Sequence, residues 1–407
     1  MIHIFLNGFA ASAGAGLTYL HNVVPHLSAI GNVHTTVAVQ TQLRKSFKNL
    51  PRVEVICLQG DFGTARRFWF EQRLLPALIR KSGADVLISA GNFALRNSPV
   101  PQILLSGNSL YTSRDFYRDL WRRREFGMFA DNFVKGIFAR KSVHWADCTI
   151  APSQAFADEL RRWSGKQVEV VHHGFDWEMF SADAESLPDE IQRKLCESEG
   201  CLRLLFVSHY NYYRNFETLI RALPLIQKRI QDRKVQLFLT CKLESGANPG
   251  AYNPAQARQL VRDLDVGGHL VELGTVPYRS LHQLYRACDI YVTASYAETF
   301  AHPLVEAMAS DLPIVASDIP VHREICGDAA RYFLKFSAEA LAETVAEIAG
   351  SGSLYQEMSR ISKERSVHFS WAEHVQQLLV LISQLHTRRD LERIPIDGLV
   401  RALSLPE

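Results

Sequence analysis

Two carboxylates, Glu298 and Glu306, stand eight residues apart in the otherwise apolar run YAETFAHPLVEAMA (Tyr296–Ala309). The preceding DIYVTA reads as a strand over Asp289–Ala294, and Pro303 suits the first position of a helix. Glu298 is then expected on a loop past the carboxyl end of a strand. Glu306 is expected in the first turn of the helix, where its charge favours the positive end of the helix dipole. The backbone N–H groups of Thr299, Phe300, Ala301 and His302, with those of Leu304 and Val305, are expected to face an anion. Carboxylates beside such a pocket do not bind phosphate; they accept hydrogen bonds from hydroxyls on either side of it. Taken singly, each glutamate has an ordinary explanation, a helix start for one and a solvated loop for the other. Together, in a strand–loop–helix setting, they point to a diphosphate flanked by hydroxyl-bearing groups.

The elements that must carry this site follow from the rest of the chain. Apolar, β-branched runs at Ile2–Asn7, Thr35–Gln40, Val53–Gln59, Asp85–Gly91, Gln102–Gly107, Cys148–Pro152 and Val168–His173 alternate with amphipathic stretches such as Gly16–Ala29 and Ala65–Lys81. That alternation predicts βα units and a parallel sheet. Residues 181–200 break it with an acidic linker that holds one short helix. It resumes with strands at Leu202–Ser208, Val235–Thr240, Leu270–Gly274, Asp289–Ala294 and Ile314–Ser317, and helices at Asn215–Ile230, Pro254–Leu264, Tyr278–Ala287 and Pro303–Ala309. The predicted organisation is α/β, two doubly wound Rossmann-like domains facing a central cleft: 1–180, a linker at 181–200, 201–370, and C-terminal helices over 371–407 that cross back to the first domain. Ligands of such sheets bind beyond the carboxyl ends of the strands.

Composition narrows the class. The chain of 407 residues is long for one core, and 47% hydrophobic with 22% charged residues is the balance of a water-soluble globular protein. The net charge of +2 dictates no acidic or basic partner, although residues 1–180 carry 21 Lys and Arg against 14 Asp and Glu, a net of +7, and the remainder is at −5. MIHIFLNG lacks a basic leader region and reads as a buried strand, and no apolar run is long enough to span a bilayer. Seven scattered cysteines without a CxxC pair imply neither a disulfide framework nor a zinc site, so a cytoplasmic setting is expected.

ETFAHPLVEAMASDLPIVASD resembles the E-x7-E segment of retaining glycosyltransferases of family 4, which have the two-Rossmann GT-B fold. VELGTVPYRSLHQLYRACDIYVTAS and VHREICGDAARYF resemble the segments on either side of it. ADCTIAPSQAFADEL and VHHGFD resemble the end of the family's acceptor domain, and SAGAGLTYL stands where the family has a glycine-rich first loop. The resemblance implies an acceptor-binding first domain and a donor-binding second domain. Glu298 would hold hydroxyls of the donor sugar, Glu306 the ribose hydroxyls, and the amides of Thr299 to His302 the diphosphate. In FVSHYNYYRNFETLI, His209 and Arg214 stand where the family usually has an arginine and a lysine on the diphosphate. With these cations no metal or other cofactor is required, the nucleoside diphosphate sugar being a co-substrate.

The chain departs from the family's pattern in three places. His209 replaces an arginine, and an unperturbed imidazole is mostly neutral at pH 7. Thr299 and Ala301 replace glycines. A positive φ is a genuine outlier for a β-branched residue, so Thr299 is expected at negative φ. Asn108 and Ser109 occupy the acceptor-side strand end, where many relatives have a histidine, and neither is a general base. In GAGLTY, Gly14 and Gly16 are read as a close backbone approach near acceptor and diphosphate, or as a tight turn alone.

Other signals are weaker. The Asp263–Asp265 DLD falls at a helix end and reads as solvated rather than metal-binding. Adjacent His172 and His173 would point to opposite faces of a strand, which disfavours a metal site. Residues 114–141 hold eight basic and four acidic residues among aromatics. Either they rest on an anionic membrane as a cationic face, or their aromatics pack inside the acceptor domain. No nucleic-acid reader motif accompanies them. The expectation is a metal-independent hexosyltransferase-type enzyme that moves a sugar from a UDP- or GDP-sugar to a glycan or lipid-linked acceptor in polysaccharide or glycolipid assembly, in the cytoplasm or at the inner membrane face. The alternatives are a sugar-nucleotide epimerase or phosphorylase, and a degenerate module that binds a sugar nucleotide or glycan without turnover.

Overall fold

The computed structural model describes residues 1–11, 14–58, 63–181, 185–248 and 250–393. The first sheet holds β1 (Ile2–Asn7), β2 (Val33–Gln40), β3 (Val53–Leu58), β4 (Val86–Ser89), β5 (Gln102–Leu105), β6 (Cys148–Ala151) and β7 (Glu169–Val170). The second holds β8 (Leu202–Phe206), β9 (Val235–Leu239), β10 (Leu270–Glu272), β11 (Ile290–Thr293), β12 (Ile314–Ser317) and β13 (Ala330–Phe333). All are parallel, in the orders β3-β2-β1-β4-β5-β6-β7 and β10-β9-β8-β11-β12-β13. Central strands such as β4 (VLIS) and β11 (IYVT) are buried on both faces, so they are continuous apolar runs rather than alternating ones. Register is held by pairs such as Leu6 with Val37 and Ile88, and Leu205 with Phe238 and Tyr291.

The order turns around between β1 and β4, and again between β8 and β11. Loops leaving adjacent strands diverge at such a point and open a crevice. β13 was not among the predicted strands. It is four residues long, just past the turn at Gly327, and its Arg331 is exposed, so its apolar signal is short. In the acidic linker one helix forms at Asp189–Glu197, and 182–184 lie outside the described residues.

Two helices tie the sheets together. The long helix Trp371–Arg393 sets Trp371, Val375, Leu378 and Ile382 into one cluster with Leu20, Val24 and Val37 of the first sheet's layer. Gly174 allows this close approach, since a Cβ there would lie 2.0 Å from the Trp371 nitrogen. The helix Arg114–Arg122 sends Phe116 and Leu120 the other way, into the core of the second sheet beside Phe216 and Leu239. Its polar face follows: Tyr296 Oη donates to Asp119 at 2.9 Å, and Arg123 pairs with Asp119 and Glu217, each at 2.9 Å. Of the two sequence readings of 114–141, packing inside the acceptor domain alone is therefore corrected: part of the segment packs into the second domain. Outward, the same segment leaves Trp121, Phe126, Phe133 and Ile137 exposed. Among the described residues no helix is long and apolar enough to cross a membrane.

Candidate active site

A cavity of about 410 Å³ opens between the two sheets at their carboxyl ends. The segments after β8 and β11 line one side of it, and those after β1, β4 and β5 line the other. Gly16, Asn108, Ser109, Arg214, Glu298, Thr299, Phe300, Ala301, His302 and Glu306 all face it. Three described residues singled out in the sequence do not: His209 is exposed, and Leu304 and Val305 are buried in the core. Gly14 opens the helix Gly14–Ala29, and its surroundings lie outside the described residues.

Arg214 is delivered by the 3-10 turn Tyr212–Arg214. The turn closes on Asn215, which has φ 54° and whose side-chain amide donates to the Ala294 carbonyl at 3.1 Å, pinning the turn to the end of β11. The Arg214 guanidinium forms an ion pair with Glu298 and reaches Ser295 Oγ at 3.3 Å. Its Nε is buried and has no partner among the described residues. An arginine with one edge on a carboxylate and a spare buried donor is set to receive a second anion. Although its side chain reaches solvent, partial desolvation and then the neighbouring Arg214 hold the His209 imidazole below its ordinary value, so it adds little positive charge beside Arg214.

The loop from Glu298 into the helix differs in detail from expectation. Thr299 is absent from the residues at positive φ, and its carbonyl accepts from Ser153 Oγ of the first domain at 2.7 Å. Ala301 takes the left-handed conformation, φ 65° and ψ 63°, and caps a helix that runs His302–Ala309. The helix thus begins one residue before Pro303. That places Glu306 in its second turn, away from the end of the dipole that was expected to favour it. The Leu304 N–H donates to the Ala301 carbonyl at 2.9 Å, so it is not a donor for a ligand. The amides of Ala301 and His302 remain at the open end, where helix geometry supplies no acceptor.

Glu306 is 6% exposed, and Tyr285 Oη donates to it at 2.8 Å. Burial pushes its carboxyl up to about 7. It therefore exchanges between acceptor-only and donor-bearing forms near neutrality, which suits contact with a diol.

On the opposite wall, Asn108 uses its side-chain oxygen to accept from the Leu110 N–H at 3.0 Å, capping the turn Ser109–Tyr111. A Cβ at Gly16 would meet Ala11 at an ordinary 3.5 Å, so no close approach within the chain demands this glycine. The sequence reading passed over Asn92 and Tyr278 and set His173 aside as a metal ligand; all three line the cavity. Asn92 has φ 65° and accepts from the Gly107 N–H at 2.7 Å. His173 is 5% exposed, and neither of its ring nitrogens has a partner among the described residues. Its ring packs against Phe300, His302 and Trp371, where burial lowers its proton affinity. His172 turns away and pairs with Glu324 at 2.8 Å. The described residues hold no cluster suited to a metal ion, and Asp263 and Asp265 are exposed at a helix end.

The chain is similar to known proteins across both domains. Residues 189–365 match the family model "Glycosyl transferases group 1", and residues 17–178 match "Glycosyltransferase Family 4". A D-inositol 3-phosphate glycosyltransferase of Corynebacterium aurimucosum is 26% identical over 218 residues, 53% of this chain and 51% of that protein. The chain thus spans about half the length of the curated relatives it matches. Sucrose-phosphate synthase from Thermosynechococcus elongatus superposes with a TM-score of 0.72 at 18% identity, covering 95% of this chain and 100% of that one. Anabaena Alr3699/HepE, solved in complex with UDP-glucose, superposes with a TM-score of 0.70 at 17% identity, covering 94% and 100%. With two parallel-sheet domains meeting at a cleft and family models matching on both sides of it, the chain belongs to glycosyltransferase family 4 and has the GT-B fold.

Proposed function

We propose that this protein is a retaining glycosyltransferase that moves a sugar from a nucleoside diphosphate sugar, UDP- or GDP-linked, to an acceptor hydroxyl without a metal. One observation carries the reading. The Arg214–Glu298 ion pair, the open end of the His302–Ala309 helix and Glu306 converge on one cavity that both domains line. In this reading Glu306 and Tyr278 take the nucleoside end, and the amides of Ala301 and His302 with Arg214 take the diphosphate. Glu298 takes donor-sugar hydroxyls. The bond from the anomeric carbon to the diphosphate oxygen breaks, and the acceptor oxygen bonds to the same face of that carbon. The acceptor's proton passes to the departing diphosphate, so no enzymic nucleophile or base is needed. Arg214 and the helix end stabilise the charge that grows on the leaving group.

The first domain supplies the acceptor wall, and a glycan or lipid-linked acceptor fits its small neutral side chains. Exposed Trp121, Phe126 and Phe133 beside Arg118 and Arg122 favour contact with an anionic membrane at its cytoplasmic face. Sedimentation with phosphatidylglycerol vesicles tests this contact, and no binding at low salt would remove it.

A thermal-shift screen against UDP-, GDP-, ADP- and dTDP-sugars, with and without EDTA, tests the donor site. One donor should raise Tm equally in both conditions, and release of its nucleoside diphosphate with a retained anomeric configuration in the product should follow. Donor binding with no release under any acceptor would make the protein a binding module instead.

A further inference from the structure

Three histidines crowd the junction of the two domains, and they differ in how their rings are satisfied. His374 has both ring nitrogens engaged, Nδ1 with the His172 carbonyl at 2.7 Å and Nε2 with the Tyr19 hydroxyl at 3.3 Å. It does not line the cavity between the sheets, whereas His173 and His302 do. Neither ring nitrogen of His173 has a partner among the described residues, and the buried Nε2 of His302 has none either. A core histidine that serves packing alone is satisfied as His374 is. A buried imidazole that faces a cavity with both nitrogens unused costs the folded chain stability, so it is set for a group that enters the cavity.

The His173 ring is fixed by its surroundings. It stands just past β7 and packs against Tyr19 of the helix Gly14–Ala29, Phe300 and His302 of the second domain, and Trp371 and His374 of the long C-terminal helix. Ring centroids in this cluster lie 5.1–5.8 Å from that of His173. The two carboxylates of the cavity are already engaged, Glu298 by Arg214 and Glu306 by Tyr285. Burial and the neighbouring histidines keep the ring neutral, so it has one N–H to give. Position narrows what can accept it. His302, 5.1 Å away ring to ring, is the first residue of the helix His302–Ala309, and the open end of that helix favours an anionic oxygen over a hydroxyl. We propose that the His173 imidazole donates a hydrogen bond to an oxygen of the donor's diphosphate. The contact comes from the end of the first domain and reaches the same group that Arg214 and the helix end take from the second, so the diphosphate bridges the domains. The inference rests on the transferase reading above.

Titration of the full chain with UDP, GDP, uridine and guanosine tests it in wild type and two variants. His173→Phe keeps an aromatic ring against Phe300 and Trp371 and removes the N–H. Its affinity for the nucleoside diphosphate should fall about ten-fold or more, while the affinity for the matching nucleoside is unchanged. Its Tm should be no lower than that of wild type, because an unpartnered polar group has been replaced by an apolar one. His173→Gln retains an N–H and should recover part of the lost affinity. Should the phenylalanine variant fail to fold, His173→Leu against His173→Gln carries the same comparison. Undiminished diphosphate affinity without the N–H, an equal loss for nucleoside and diphosphate, or a lowered Tm with no recovery in His173→Gln would each overturn the inference and leave the donor site standing. Failure of wild type to bind either nucleoside diphosphate would instead remove the transferase reading, and this contact with it.

Discussion

The two walls of the cleft are built on opposite principles. The second domain's wall is charged, buried and braced: Arg214 on Glu298, Tyr285 on Glu306, Asn215 on the end of β11. The first domain's wall is small and neutral: Gly16, Thr18, Ala90, Asn92, Gly107 and Asn108. Buried charges are costly unless they are paired, so a chain keeps them where something specific must be held. Small neutral residues carry no charge to desolvate, and they leave room. On the proposed reading the second wall would hold what many donors share, a diphosphate and ribose, and the space on the first would be left to the acceptor.

The largest expected effect breaks the junction that sets the walls face to face. Gly174→Ala would place a methyl group against the backbone of Ser370 and Trp371. Destabilisation of about 3 kcal/mol or more is expected in denaturant melts, because backbone cannot move aside as a side-chain tip can. A variant as stable as wild type would show that the long C-terminal helix does not seat there.

Next is the ion pair on the charged wall. Arg214→Ala strands a buried carboxylate, with an expected cost of about 3 kcal/mol, and should lower kcat by about a hundred-fold or more. The Arg214→Ala, Glu298→Ala double variant should recover stability but not turnover. An effect on KM alone would contradict a role on the leaving group.

The pH dependence sharpens the contrast through Glu306. Its folded-state value of about 7 lies above the ordinary 4.5, so its contribution to stability is full below pH 4.5 and fades as pH rises through 7. His302 and His374 run the other way. Burial holds both near 4, so their contribution is complete above pH 6.5 and is lost as pH falls towards 4. Glu306→Gln should therefore gain stability relative to wild type between pH 5 and pH 8, on the order of 3 kcal/mol, while donor binding weakens by about 1–3 kcal/mol. A flat difference across that range would mean that Glu306 is not buried in solution.

The smallest effect is at Ala301. Its left-handed backbone costs an L-residue roughly 1 kcal/mol, so Ala301→Gly should stabilise the protein by about that much, with donor affinity unchanged. Destabilisation would place a different conformation at this cap.

Local pattern determined much of this protein. Apolar runs of four to eight residues between amphipathic stretches named twelve of the thirteen strands among the described residues, because strands buried on both faces show continuous apolar sequence. The E-x7-E spacing, read with the strand before it and the proline within it, marked the loop where the cavity lies. What only the tertiary structure decided depends on distant partners. The helix start slipped by one residue because Ala301 adopts the cap conformation, and that moved Glu306 into the second turn and used up the Leu304 amide. Glu306 is poised near neutrality because the surrounding core buries it, an effect the Tyr285 hydrogen bond partly offsets, and nothing in its neighbours along the chain says so. The segment 114–141 reads either as a membrane-facing surface or as aromatics packed in the acceptor domain, yet Phe116 and Leu120 of helix Arg114–Arg122 complete the core of the second domain. Periodicity reveals which face of a helix is apolar, whereas which sheet that face meets is decided only when both domains have folded.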